Sequence, residues 1–354
     1  MSQTMKAFVY HGSGKASLED VPMPQIIKDD DIIIKVTLSA ICTSDVHIAA
    51  GHLDFLIKPP RILGHEFCGE VTEIGSAVKR FKVGDRVLVS PAAVCGTCRS
   101  CKAGNFCNCR TPEYGIFGVA LDGCQAEYMR LNNGSLYASR IPDGTSEEDV
   151  ILVTDMMCTA WYALTRAKAS AEDSVVVIGN GPVGLSACIL AKAIGVKTVI
   201  AIDVVDYLLE AAQKNGVADY IINPEKEDPI AKVSEITGKR RASCVIETVG
   251  ISPTINMGIA VAGFAGRMCS VALPSGPLTI ERNGEALLKN MEITMGVHSG
   301  EGAGPVMDLI AKGKINAKWM LTHRAPLNDI EKGYDIFSKK KDNCIKWLVT
   351  PYQR

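Results

Sequence analysis

The 354-residue sequence carries almost no net charge: 38 Lys and Arg stand against 39 Asp and Glu, a formal −1. No basic stripe runs through it. The one cationic run, Lys339–Lys341, reads as a solvated helix end, so no nucleic-acid partner is expected. No stretch approaches about 18 uninterrupted apolar residues, so no membrane span is expected either. The N-terminus, "MSQTMKAFVYHGSGK", has no apolar run of signal-peptide length. The cytoplasm is the expected location. Internal repeats and low-complexity linkers are also missing. What remains, 47% apolar and 22% charged, describes a globular chain long enough for two domains.

Cysteine is plentiful by contrast, with 13 residues. In a cytoplasmic protein these are not read as a disulfide framework. Eight are scattered, and buried core filler is the default reading for each. Five crowd into "CGTCRSCKAGNFCNC", Cys95–Cys109. A tetrahedral zinc takes four ligands. One of the five is therefore extra, and a shorter closing loop through Cys107 is physically possible.

The first 150 residues are rich in Gly, Pro and short β-branched runs. "DIIIKVTLSAI" (31–41) and "GDRVLVS" (84–90) read as strands in a β-rich region with long loops. The pattern changes near residue 172. Apolar runs at 174–178 and 198–202, and near 219, 244 and 267, alternate with helical segments, and "MEITMG" (291–296) reads as a sixth strand. Strands alternating with helices predict a parallel sheet covered on both faces, an α/β fold.

"VVVIGNGPVGLSA" carries Gly179-x-Gly181-x-x-Gly184 directly after a predicted strand and at the start of a predicted helix. The first Gly makes the tight turn, the second lets a pyrophosphate approach, and the third lets helix and strand pack closely. Pro182 and Val183 open the helix whose N-terminus faces the phosphates. Nineteen residues after Gly184 the second strand ends at Asp203. A carboxylate there accepts hydrogen bonds from an adenosine ribose and repels the 2′-phosphate of NADP. The cofactor expected is therefore NAD.

The β-rich region also holds "CTSDVH" (42–47) and "GHEFCGEVTEIGSAVKRFKVGDRV" (64–87). Cys42 and His65 are zinc-ligand types, and a catalytic zinc needs three protein ligands and an open position. Gly64-His65-Glu66-x-x-Gly69, followed by Gly75 and Val78, resembles the signature of zinc-containing alcohol dehydrogenases of the medium-chain dehydrogenase/reductase family. The resemblance covers nearly the whole chain. It implies a GroES-like β-rich catalytic domain (1–157 and 291–354, with a zinc lobe at about 91–112) and a Rossmann NAD-binding domain (158–290).

That resemblance also implies roles. Cys42 and His65 become the first two catalytic zinc ligands, with Glu66 beside the metal. The third is expected some two dozen residues before the glycine turn; Asp155 stands 24 before Gly179 and is favoured over Cys158. Ser44 and His47 match the proton relay, and Asp45 the carboxylate that orients His65. The family spacing C-x2-C-x2-C-x7-C selects Cys95, Cys98, Cys101 and Cys109 for a structural zinc, two zincs per chain in all. Val271 and Val297 align with segments at the nicotinamide amide. Lys346 aligns with a basic residue near the cofactor phosphates, although a surface charge is equally open. His11, His52, His298 and His323 have no motif support. A homotetramer is expected by analogy, with a dimer open.

The expected reaction is reversible hydride transfer between an alcohol and NAD, giving a ketone or aldehyde, with a secondary alcohol and its ketone favoured. A diol or sugar alcohol of the butanediol or sorbitol type is the alternative substrate. A zinc-free quinone reductase-like relative would lack Cys42, His65 and the cysteine lobe. A zinc-storage protein would leave Ser44, His47 and the glycine fingerprint unexplained.

Overall fold

The computed structural model describes residues 3–274 and 276–352. The chain divides into two compact units. The first runs to Asp155 and resumes at Lys318; the second is Met156–Ala317.

In the first unit the strand Ile32–Ala40 is almost wholly buried and sits at the centre of a seven-stranded sheet. Glu66–Ile74, Trp347–Thr350 and Tyr128–Leu131 all pair with it antiparallel. Arg86–Val89 and Ala138–Arg140 extend one side, and His323–Pro326 closes the other. A smaller sheet joins Lys15–Pro22, Thr4–Gly12 and Arg61–Ile62. One core cluster gathers Ile34, Val36, Phe67, Val89 and Phe117; a second gathers Phe8, Tyr10, Ile41, Tyr334 and Trp347.

Register then positions chemistry. Ala40 pairs with Glu66 on one side and with Leu348 on the other. The residues just past these pairs, Cys42, His65 and Lys346, are thereby carried to one end of three adjacent strands. Gly64 makes the turn into this end. Its φ is +92°, and a Cβ there would lie 2.6 Å from Gln125 Cγ and 2.9 Å from Cys124 Sγ. Both the left-handed backbone and the close approach demand glycine.

The second unit is a six-stranded parallel sheet in the order Tyr220–Ile222, Thr198–Ile202, Ser174–Ile178, Ala242–Glu247, Ala262–Ser270, Glu292–Met295. Its central strands are buried on both faces, as their unbroken apolar runs require. The order reverses between Ser174–Ile178 and Ala242–Glu247, the switch point where doubly wound sheets bind ligands.

The strands and helices expected from the sequence stand where they were placed, and Pro182–Ala193 is the helix after the glycine turn. The second domain boundary differs. Residues 291–317 were expected to rejoin the first domain. Glu292–Met295 instead pairs with Ala262–Ser270 as the sixth parallel strand, and the helix Ala303–Ala311 follows within the same unit. The return begins at Lys318. The strand's pairing, rather than the end of the βα repeat, sets the limit.

Gly184 tests the packing of this unit. A Cβ on it would lie 1.8 Å from Gly179 O, a backbone atom with no rotamer to yield. Gly184→Ala is expected to destabilise the protein by about 1–3 kcal/mol, the usual penalty of overpacking. Thermal unfolding of the variant beside wild type measures it; an unchanged midpoint would contradict the close-packing role.

Candidate active site

Cys42 leaves the end of Ile32–Ala40 and stands just before the short helix Thr43–Ala49. Its Sγ lies 3.7 Å from Asp155 Oδ2. His65 Nε2 lies 3.6 Å from the same oxygen. Cys42, His65, Glu66 and Asp155 each offer a donor atom, and all four atoms fall within 4.8 Å of one another. The structure thus brings together the three expected ligands. Asp155 precedes the helix Met156–Arg166; Cys158, one turn later, is outside the cluster.

Asp45 is fully buried on the helix after Cys42. Its Oδ2 accepts the Cys42 backbone N–H at 3.0 Å, and its Oδ1 lies 3.1 Å from His65 Nδ1. Among the described residues neither His65 Nδ1 nor Asp45 Oδ1 has a hydrogen-bond partner, so each has only the other to answer it. With Nδ1 turned to Asp45, Nε2 faces Cys42 and Asp155, the arrangement that fixes a metal-binding tautomer. Burial opposes charge on the His65 ring, but Asp45, Asp155 and Cys42 outweigh it and hold the imidazole well above its ordinary range. Burial, reinforced by Glu66, pushes the Cys42 thiol up. A divalent cation bound here would therefore displace protons.

The donors suit zinc: one thiol, one imidazole nitrogen and one carboxylate oxygen, with Glu66 as a fourth group. Glu66 Oε2 is buried with no hydrogen-bond partner among the described residues. Its other oxygen, Oε1, takes Lys346 Nζ at 2.7 Å, and neither side chain has exposed surface. This corrects the expectation for Lys346. It is neither a surface charge nor a group for cofactor phosphates; its ammonium is committed to Glu66. Burial disfavours that charge, yet Glu66 and Cys42 more than restore it and raise the lysine's pKa.

Ser44 and His47 are three apart on the same short helix, hence on one face, and both are half-buried. His47 Nδ1 lies 3.3 Å from Nδ1 of the exposed His52. Burial first, and then His52, lower the His47 pKa, so the ring stays neutral at physiological pH. His52 has no motif to mark it in the sequence; only the turn after the helix brings it to His47.

The second donor group is Cys95, Cys98, Cys101 and Cys109, with all four sulfurs within 4.8 Å. Cys107 is outside the set. Its neighbour Arg110 instead donates to the backbone oxygens of Cys107 and Cys109. Four thiols suit a closed structural zinc with no open position. Hydrogen bonds from Thr111 and from the backbone and hydroxyl around it bring the Cys95 thiol down to about 5. Tyr114 packs against this lobe.

In the second unit, parallel pairing brings Gly179, Asp203, Val271 and Val297 to the carboxyl edge of one sheet. Gly179 has φ +85°, and a Cβ on Gly181 would meet nothing within 4 Å, which leaves space at the helix N-terminus. Pro182 opens that helix and Val183 follows it. Asp203 accepts backbone N–H groups from Asn180 and Val205, which fixes its carboxylate at the strand end. Val271 is half-buried and Val297 exposed. These features fit a dinucleotide.

The family profile described as alcohol dehydrogenase GroES-like domain matches residues 28–143, and that of zinc-binding dehydrogenase matches 182–312. The L-threonine 3-dehydrogenase of Bacillus licheniformis is 34% identical over 356 residues, covering 99% of this chain and 100% of that protein. The chain belongs to the zinc-containing alcohol dehydrogenase family. The sorbitol dehydrogenase of Bacillus subtilis is 32% identical, covering 99% and 98%. The solved structure of alcohol dehydrogenase TADH from Thermus sp. ATN1 superposes with a TM-score of 0.91 at 29% identity, covering 98% and 99%. This zinc-type dehydrogenase is thus an oxidoreductase acting on alcohols.

Two buried partners in this family member escaped the sequence reading: Lys346, placed elsewhere, and Gln125, whose Nε2 lies 3.3 Å from Asp45 Oδ2. No charge or spacing marks Gln125 in "GCQAEY". Lys346 had one legible signal, a single lysine set between apolar residues just before the last strand, Trp347–Thr350. Lys346→Met leaves Glu66 buried without its cation. The expected loss is about 3–5 kcal/mol of stability, as for a buried pair broken on one side. Urea unfolding measures this, and Glu66→Gln in the same chain should recover part of it.

Proposed function

We propose that this chain interconverts secondary alcohols and ketones with NAD, using one zinc at Cys42, His65 and Asp155 and a second in the cysteine lobe. The observation that carries the proposal is the convergence of the Cys42 thiol and the His65 imidazole, set side by side by paired strands, with the Asp155 carboxylate that precedes the helix Met156–Arg166. Cys42, His65 and Asp155 would hold a zinc that, when bound, would supply Lewis acidity to the substrate oxygen. NAD bound along Gly179–Gly184 and Asp203 supplies the hydride acceptor. The protein's own groups do the rest. Ser44 Oγ would take the hydroxyl proton as it gives up its own to the relay, and His47, neutral at physiological pH, would accept that proton and release it to solvent. Asp45 orients His65, and Lys346 holds Glu66.

Asp203 supports NAD over NADP, because its fixed carboxylate opposes a 2′-phosphate and no Arg or Lys follows in "DVVDY". Asp155 as third ligand resembles the secondary alcohol enzymes. The retained cysteine lobe together with Asp203 favours a second reading, a polyol or diol, and the sorbitol dehydrogenase likeness supports it. The proposed setting is the cytoplasm, as a homotetramer or a dimer, without a nucleic-acid or membrane partner; no helix among the described residues is long and apolar enough to cross a membrane.

Two experiments test the proposal. The first is turnover of 2-butanol, 2,3-butanediol, sorbitol and L-threonine with NAD and with NADP. NAD should be preferred by about tenfold or more, the scale of one like-charge contact. A preference for NADP overturns the Asp203 reading, and no turnover with any alcohol overturns the substrate reading. The second is metal content of Asp155→Ala. It should fall from about two zincs per chain to about one, with the lobe zinc retained. Loss of both, or of neither, contradicts the ligand assignment.

A further inference from the structure

Asp45 is where two of the three ligand-bearing segments of the zinc cluster, those of Cys42 and His65, meet. It accepts the backbone N–H of Cys42 and faces Nδ1 of His65. Its third neighbour is Gln125, a residue with no exposed surface. Gln125 Nε2 lies 3.3 Å from Asp45 Oδ2, and Gln125 Oε1 accepts the Tyr334 hydroxyl at 2.8 Å.

The polarity of this chain is fixed by chemistry. An ionised carboxylate only accepts hydrogen bonds, so the amide nitrogen of Gln125 must face Asp45. The amide oxygen is then left for Tyr334, which donates. Turning the amide over would set a carbonyl against a carboxylate. Asp45 thus receives N–H groups from Cys42 and Gln125, and its remaining oxygen faces Nδ1 of His65, where it calls for a proton. The free lone pair is left on Nε2, on the side of Cys42 and Asp155.

Gln125 has little freedom to do otherwise. Its backbone bonds Phe8 and Leu63 on both sides, at 2.8 and 2.9 Å. Its side chain packs against Gly64, where any Cβ would strike it. Tyr334 comes from the helix Ile330–Ser338, after the chain has returned from the second unit. Its ring packs tilted against Phe8, with centroids 5.1 Å apart.

We propose that Gln125, held by Tyr334, is a positioning residue for the catalytic zinc: it fixes the Asp45 carboxylate and, through it, the metal-binding tautomer of His65. The proposal rests on the zinc reading of Cys42, His65 and Asp155. Outer hydrogen-bond partners of this kind change metal affinity by about 10–100-fold.

The experiment uses the full-length zinc-loaded protein and the variants Gln125→Met, Tyr334→Phe and both together. Zinc content of wild type is measured first. Release of each zinc to a coloured chelator is then followed, with the lobe zinc as internal reference. Gln125→Met should release the catalytic zinc about 10–100-fold faster and leave lobe release unchanged. Tyr334→Phe keeps the ring against Phe8 and should give a smaller acceleration. In the Gln125→Met background it should add nothing, because the two act in series. Cobalt substituted at the site should show a shifted ligand-field band in Gln125→Met. Wild-type release rates with only a lower melting temperature would overturn the proposal in favour of a structural role. Independent, additive effects would overturn the link from Tyr334. If Gln125→Met does not fold, Tyr334→Phe decides by the same release rate. A wild-type protein with zinc only in the lobe would overturn the zinc reading itself, and this proposal with it.

Discussion

Glu66 and Lys346 meet at 2.7 Å with no surface on either side chain, a few residues along the strands from a thiol, an imidazole and two more carboxylates. Confining so many acidic groups away from water is unfavourable unless cations or donors answer them. Lys346 answers one oxygen of Glu66. The backbone of Cys42 and the amide of Gln125 answer Asp45. Cys42, His65 and Asp155 are left facing one another, and a divalent cation suits that triad in charge and in donor type.

Strand register is the means. Three segments far apart in the chain, ending near residues 41, 65 and 347, are set side by side by the pairs Ala40 with Glu66 and Ala40 with Leu348. A slip of one residue would turn every side chain to the opposite face. The buried Ile32–Ala40 run fixes the register, since its neighbours must cover it on both sides. The second unit solves a separate problem by familiar parallel-sheet means: strand ends, a glycine turn and an acidic residue come to one edge because all six strands run the same way.

Much of this was legible in the sequence. Apolar runs and turn signals located the strands of the parallel sheet, because each run is short and punctuated. Gly64 and Gly184 were visible as motif glycines, and the structure gives both a steric reason. Cys42, His65 and Asp155 were legible through resemblance and not through spacing, since only folding brings them together. Lys346 was misplaced because its partner depends on the register of the last strand, a pairing that spans 280 residues. The return to the first unit was set too early, at 291, although "MEITMG" reads as a sixth strand; its pairing with Ala262–Ser270 keeps it, and the helix after it, in the second unit. Gln125 and His52 carry no local signal. Their significance lies wholly in which neighbour the fold supplies.

Zinc is proposed in both cysteine-containing clusters, with an open position only at Cys42, His65 and Asp155. Anomalous diffraction at the zinc edge tests this most directly. One peak is expected among the sulfurs of Cys95, Cys98, Cys101 and Cys109. A second is expected about 2.3 Å from Cys42 Sγ and about 2.0–2.1 Å from His65 Nε2, with Asp155 as the carboxylate ligand. A peak in the lobe alone, or a second zinc bound without Asp155, would contradict the proposal.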